Sequence, residues 1–172
     1  MDKPRPLALS LTVLGAIARL LPHAPNFTPV GSVSLFGGAR LRGWQAFLIP
    51  VLLMAVTDPL VGGYSFTTPF VYAALLLNVL IGRRLQQTES VFRIGSACLL
   101  ASTQFFLITN FGTWLAWHPH TWTGFANCFA QAIPFFGRTL AGDLFYAAAL
   151  FGLHAWLSRR FRPAERTQLQ TA

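Results

Sequence analysis

Four ionisable side chains stand in stretches that are otherwise nearly free of charge: Arg19, Asp58, Arg138 and Asp143. Guanidiniums and carboxylates in apolar sequence have two uses. They can neutralise one another as buried pairs, or they can line a polar pocket that takes a solute. Amide, hydroxyl and indole groups extend the set, at Asn26, Thr28, Asn110, Asn127 and Trp114. An amide offers donors and an acceptor, and an indole offers apolar area and one donor, a combination suited to a planar solute with polar edges. The candidate substrate-binding residues are therefore Asn26, Thr28, Asp58, Asn110, Trp114, Asn127, Arg138 and Asp143. No catalytic residue, metal ligand or cofactor is expected. Serine and histidine do not fall into a nucleophilic arrangement, and neither paired glutamates nor a glycine-rich phosphate loop occurs. His118 and His120 lack the further ligands that a metal site wants.

Composition says what must position these groups. Of 172 residues, 53% are hydrophobic and only 10% charged, too few charges to cover a soluble domain of this length. An aromatic share of 14% excludes a disordered chain. The net charge of +8 would suit nucleic acid, but its placement does not. Basic residues gather in short clusters (Lys3 and Arg5; Arg40 and Arg42; Arg83, Arg84 and Arg93; Arg159, Arg160, Arg162 and Arg166) that separate apolar runs. Residues 94–137 contain no Asp, Glu, Lys or Arg, and residues 43–82 contain only Asp58. Each run has room for a bilayer crossing of ~20 residues. Cys98 and Cys128, both in apolar sequence, read as small buried hydrophobes.

The expected fold is all-α and integral to the membrane, with about six transmembrane helices in a single transmembrane domain spanning residues 1–172. A first helix over residues 6–21 is read as retained rather than cleaved, because Arg19 interrupts its apolar run late. Residues 23–42 carry Pro25, Pro29, Gly31, Gly37 and Gly38, which predicts a broken segment followed by a short helix. Non-helical backbone at membrane depth survives only where protein or water satisfies it, so residues 25–31 are a site candidate. Gly37-Gly38 reads as close helix packing. Further helices are expected over residues 44–61, 69–81, 91–117 and 139–157. Pro134 and Gly137 interrupt residues 123–137, which are read as a re-entrant or tilted half-helix. Residues 162–172 are expected to form a polar, frayed cytoplasmic tail. Lys and Arg collect in cytoplasmic loops, which puts both termini inside the inner membrane.

Counting from the cytoplasmic boundaries sets a depth. Arg19 lies 14 residues past Arg5, Asp58 14 past Trp44, and Asp143 15 before Ser158. At helical rise all three reach ~21 to 23 Å, the outer leaflet of a hydrocarbon core of ~30 Å. Two cations, Arg19 and Arg138, are thus expected to meet two carboxylates, Asp58 and Asp143. An internal repeat is also suggested, since Asn26-Phe27 precedes Asp58 by 32 residues and Asn110-Phe111 precedes Asp143 by 33.

Five segments carry a family resemblance: Pro25-Asn26-Phe27-Thr28-Pro29-Val30-Gly31, Leu35-Phe36-Gly37-Gly38-Ala39, Thr109-Asn110-Phe111-Gly112 with Trp114, Ile133-Pro134-Phe135-Phe136, and Thr139-Leu140-Ala141-Gly142-Asp143. Over nearly its whole length the chain resembles an uncharacterised family of small bacterial membrane proteins assigned to transport. That family in turn is similar to the substrate-binding S components of energy-coupling factor (ECF) transporters. The resemblance implies a six-helix protein that captures a small organic micronutrient from outside. It also implies docking on an energising transmembrane subunit through small residues of the first helix, for which Ala8, Thr12 and Gly15 are compatible. The metal-binding S components use an N-terminal histidine, and Met1-Asp2-Lys3 has none, which disfavours nickel or cobalt. No Walker motif occurs, so ATP-driven uptake requires a separate ATPase subunit. The expected function is membrane transport as a substrate-binding subunit, not an enzyme. The expected partners are the lipid bilayer, a small-molecule solute and the energising subunits, with no nucleic acid. The rival readings are a structural or assembly protein without ligand, and an intramembrane enzyme that would have to use Asp58 or Asp143.

Overall fold

A computed structural model shows six helices and no strand among the described residues, which are 5–22, 24–86 and 88–170. Lys3 and His23 lie outside them. The helices are α1 (Arg5–Ala18), α2 (Val30–Arg40), α3 (Gln45–Val61), α4 (Thr68–Arg83), α5 (Val91–Trp117) and α6 (Trp122–Gln170). Local signals set several ends. Ser90 caps α5 through its side chain, and proline stands in the first turn of α4, where its missing N–H costs nothing.

The shortest helix is the centre of the bundle. α2 touches each of the other five helices, and every residue from Ser32 to Ala39 is buried. Its glycines allow this. A β-carbon on Gly38 would stand 2.2 Å from the Val79 carbonyl oxygen, and one on Gly82 would stand 2.1 Å from the Leu35 carbonyl oxygen. The backbones of α2 and α4 are thus in direct contact, the packing expected of Gly37-Gly38. The small face of α1 is also turned inward. Ala8 and Thr12 are buried, and a β-carbon on Gly15 would meet Val33 of α2 at 2.7 Å and Leu150 of α6 at 3.4 Å. That face is therefore occupied within the chain.

Polar and apolar positions are inverted relative to a water-soluble protein. Thr12, Ser32, Ser34, Thr57, Asp58, Asn78, Ser102 and Asp143 are buried, while Leu14, Leu52, Val56, Leu60, Leu80, Leu100, Leu107, Ile133 and Phe145 are exposed. Two helices, α5 and the Trp122–Phe161 part of α6, are long and apolar enough to cross a membrane, and only 22% and 33% of their most apolar windows are buried. α1, α3 and α4 are apolar but shorter.

Two expectations need correction here. Residues 123–137 are not a separate re-entrant element but the first part of α6, a single helix of 49 residues. Proline at position 134 removes one backbone donor, yet its fixed φ is helical. The rings of Phe129 and Phe136, on either side of Pro134, both pack on Phe106 of α5, with centroids 5.7 and 5.2 Å away. That packing holds α6 in line through the interruption. Likewise, residues 162–170 continue α6 instead of forming an irregular tail.

The bundle has two unlike ends. At one, Arg40 donates to the carbonyls of Leu85 (3.1 Å) and Thr88 (2.7 Å), and Arg159 pairs with Glu89 at 2.5 Å. The end of α2, the α4–α5 connection and the C-terminal half of α6 meet there. At the other end, the connections before α2, α4 and α6 carry proline, aromatic and amide residues. Rings of Phe66, Phe70, Phe111, Trp114, Phe125 and Trp122 run in contact from α4 to the α5–α6 turn.

Candidate functional site

Both carboxylates of the apolar stretches, Asp58 and Asp143, are buried, and each is compensated differently. Asp58, near the end of α3, accepts an ion pair from Arg19, with Nη1 to Oδ1 at 2.7 Å. Arg19 follows α1 in a turn, and the same nitrogen donates to Thr57 Oγ1 at 2.8 Å and contacts Met54 Sδ at 3.2 Å. The Tyr72 hydroxyl donates to the second carboxylate oxygen at 2.5 Å. This cluster ties α3 to α4 and to the end of α1. It is one of the two cation–carboxylate meetings expected from the depth count.

The other does not form. Asp143 is held by Ser102 Oγ of α5 at 2.6 Å and by Ser32 of α2, whose hydroxyl lies 2.7 Å from the Asp143 carbonyl and 3.3 Å from its Oδ1. The Ser32 backbone N–H also bonds to the carboxylate. Ser32 lies in the first turn of α2, where amides lack partners in their own helix, and Pro29 at the N-cap makes no side-chain hydrogen bond to them. Asp143 therefore caps α2 from across the bundle and meets the positive end of its dipole. A β-carbon on Gly31 would fall 2.3 Å from Asp143 Oδ1, so only glycine leaves room for this approach. Arg138 is exposed. Five residues before Asp143, it points about 140° away around the helix.

A cavity of about 170 Å³ lies one turn from Asp143 along the α5–α6 seam. Asn26, Thr109, Asn110 and Thr139 give it polar groups, and Phe105, Phe106, Phe135, Phe136 and Ala132 complete it. Asn26 adopts a left-handed φ of 64°, a conformation asparagine tolerates. Phe27 anchors that loop between the rings of Phe145 and Tyr146, against the backbone of Gly142. The polar groups on the helices have most of their donors committed. Thr109, Asn110 and Thr139 donate to the carbonyls of Phe105 (2.8 Å), Phe106 (2.8 Å) and Phe135 (3.1 Å), one turn back. Their oxygen lone pairs face a ligand beside the rings of phenylalanine, and the second N–H of Asn110 is the one donor that the helices add. Acceptors predominate on the helix side of the site.

Of the sequence-derived site residues, Asn26 and Asn110 line this cavity, and Asp143 lies beside it. Thr28 is half-buried behind it, where a β-carbon on Gly142 would meet its backbone nitrogen at 3.3 Å. Trp114 stands at the α5–α6 turn, its Nε1 bonded to the Pro119 carbonyl at 3.0 Å. Asn127 and Arg138 are exposed, and Asp58 belongs to the separate cluster with Arg19. The suggested repeat does not carry into structure, because Asp58 and Asp143 have unlike partners. Sequence reasoning missed Ser32, Ser102 and Tyr72 as carboxylate partners and Thr57 as a partner of Arg19. For Ser102 a signal existed: Ser102, Phe105, Phe106 and Thr109 follow the spacing of one helical face inside a run without charges. Asn78 and Gln104 were missed as well. Gln104 Nε2 donates to Asn78 Oδ1 at 2.6 Å, while Asn78 Nδ2 and Gln104 Oε1 have no hydrogen-bond partner.

The chain belongs to a family of unknown function (DUF6580), whose profile matches residues 2–167. No curated protein and no solved structure matches it.

Proposed function

We propose that this protein is an integral membrane substrate-binding subunit for uptake of a small organic solute bearing N–H donors, such as a protonated amine or an N–H heterocycle. The observation that carries the reading is the cavity in which Thr109 and Thr139 have spent their hydroxyl donors on backbone and, with Asn110, offer oxygen acceptors next to four phenylalanines. Aromatic faces attract cations and stack on rings. Its volume of about 170 Å³ is close to that of a cavity that takes one benzene-sized ring, ~150 Å³.

Membrane residence is supported by the apolar exterior of the bundle and by two helices of spanning length. The remaining helices complete a six-helix membrane bundle, the shorter ones meeting a locally thinned bilayer. The end that gathers Arg40, Arg83, Arg84 and Arg159 faces the cytoplasm by the bias of Lys and Arg toward that side, so both termini lie inside and the cavity opens outward. With α6 continuous, this reading needs no re-entrant segment to keep the number of crossings even. Energy comes from partner subunits, as in the ECF transporters that the sequence resembles, and the partner docks elsewhere than on the inward-facing side of α1.

The reading is tested by purifying the protein in mild detergent and identifying released small molecules by mass spectrometry, alongside Asn110→Ala and Phe106→Ala variants. A single co-purifying compound with N–H donors, lost from the variants at unchanged melting temperature, is the expected result. If no compound is retained and the variants lose melting temperature instead, the groups are scaffold and the binding assignment is wrong.

A further inference from the structure

A second cavity lies on the same seam. It measures about 420 Å³ and is bounded by Ile94, Gly95 and Cys98 of α5 and by Ala148, Phe151 and Gly152 of α6, with Arg40, Glu89 and Arg159 at its mouth on the basic end. The two cavities occupy successive stretches of the same two helices. On α5 the cavity of the basic end reaches Cys98 and the acceptor-lined cavity begins at Phe105. On α6 they stop at Leu144 and Thr139 respectively. What lies between is Ser102 on α5 and Asp143 on α6, joined by their 2.6 Å hydrogen bond. The barrier is about one helical turn thick, ~5 Å. Ser32 holds Asp143 to α2 independently, so the Ser102 contact can break without releasing α6 from the centre of the bundle.

We propose that the α5–α6 seam is the path by which the solute crosses this protein, and that the Ser102–Asp143 contact is its central gate. This rests on the binding role assigned to the acceptor-lined cavity and adds a route through the chain itself. The carboxylate can exchange the Ser102 hydroxyl for an N–H donor of an arriving solute, so a solute of that class can replace the bond that closes the path. Phenylalanine faces on one side and Asp143 at the constriction both favour a small cation.

Cysteine reporters test the path without knowledge of the solute. In a background with Cys98→Ala and Cys128→Ala, Thr109→Cys reports the acceptor-lined cavity and Gly95→Cys the other, where a β-carbon meets nothing within 4 Å. The probe is a membrane-impermeant methanethiosulfonate bearing a trimethylammonium group, added to one face of sealed vesicles of known orientation. The two reporters should label from opposite faces. Adding Ser102→Ala should then speed labelling of Gly95→Cys from the Thr109 side by about tenfold or more, the shift expected when one hydrogen bond to a charged group no longer favours the closed state. Ser102→Thr, which keeps the hydroxyl, should restore slow labelling. Folding of each variant is checked by gel filtration in detergent, and Asp143→Ala, which leaves Ser102 no acceptor on α6, serves as a second gate variant should Ser102→Ala fail that check. If Thr109→Cys labels while Gly95→Cys never becomes reachable from that side in either gate variant, the path is refuted and the binding role stands. If Thr109→Cys labels from neither face, the binding role itself fails.

Discussion

Asp58 and Asp143 are the same residue type in the same apolar bundle, yet one is neutralised by a cation and the other by hydroxyls and a helix terminus. Position explains the difference. Asp58 lies one turn from the end of α3, where Arg19 can reach inward from the turn after α1 and remain partly solvated, its side chain 15% exposed. Asp143 lies midway along α6 against the first turn of α2, where Gly31 leaves no room even for a methyl group, still less for a guanidinium. Serine is small enough to serve, and the free amides of α2 supply the rest of the compensation. An ion pair of this kind is a fastener, since separating it exposes two charges to low dielectric. A carboxylate held by neutral donors can trade one for another at lower cost, which is the property a gate needs.

The largest expected effect comes from breaking the ion pair. Asp58→Asn leaves Arg19 uncompensated in the bundle and should lower stability by about 3–5 kcal/mol, read as melting temperature in detergent. The double change Arg19→Met with Asp58→Leu should be more stable than either single change, since no charge is then buried alone. If Asp58→Asn costs no more than Asp143→Asn, the contrast between the sites is lost.

Gly31→Ala should follow, at about 1–3 kcal/mol, because its methyl would displace the Asp143 carboxylate from α2. Gly137→Ala, where the added methyl meets nothing within 4 Å, is the control, and it should be neutral or stabilising by about 0.5–1 kcal/mol in a helix. A Gly31 variant as stable as the Gly137 variant would show that Asp143 does not depend on the end of α2. Asp143→Asn keeps the shape and one acceptor, strands no cation, and should cost about 1–2 kcal/mol.

How much of this could be read in advance differs between the two sites for a physical reason. Depth counting on helical rise brought Arg19 to Asp58 because both lie near helix ends, where residue number converts directly into height. It failed at Asp143 because height says nothing of azimuth: Arg138 lies on the same helix about 7.5 Å further toward its start and faces away, while Ser32 and Ser102 carry no charge to draw attention. Helix existence was legible for α1, α3, α4 and α5 from apolar runs bounded by proline, glycine and arginine. The continuity of α6 was not, since Pro134 is a local breaker overruled by Phe129 and Phe136 packing on Phe106, a tertiary contact. Asn26 and Asn110 could be nominated by type, but the segments that line the cavity with them, Phe135-Phe136 and Thr139, were noticed only as family resemblance. Their convergence depends on how α5 and α6 are rotated against each other, which the sequence states weakly. Trp114 and Asn127 were nominated on the same grounds and face elsewhere for the same reason.

The smallest effects compare one hydroxyl at each carboxylate. Tyr72→Phe removes the 2.5 Å bond to Asp58, which keeps its arginine, and Ser102→Ala removes the 2.6 Å bond to Asp143, which has only Ser32 left. Hydrogen bonds between membrane helices are worth ~0.6 kcal/mol on average, and those to charged groups ~1.5–3 kcal/mol in soluble proteins. Tyr72→Phe should fall near the lower figure because Arg19 continues to satisfy Asp58. Ser102→Ala should cost about twice as much, because no cation takes up the lost interaction. Melting temperatures of both variants in one detergent decide this, and the ordering is the informative quantity. A larger loss for Tyr72→Phe would mean that Arg19 alone does not satisfy Asp58 and that the tyrosine is a full member of that cluster. Asp143, needing Ser102 less, would then be secured by the end of α2 rather than by the seam.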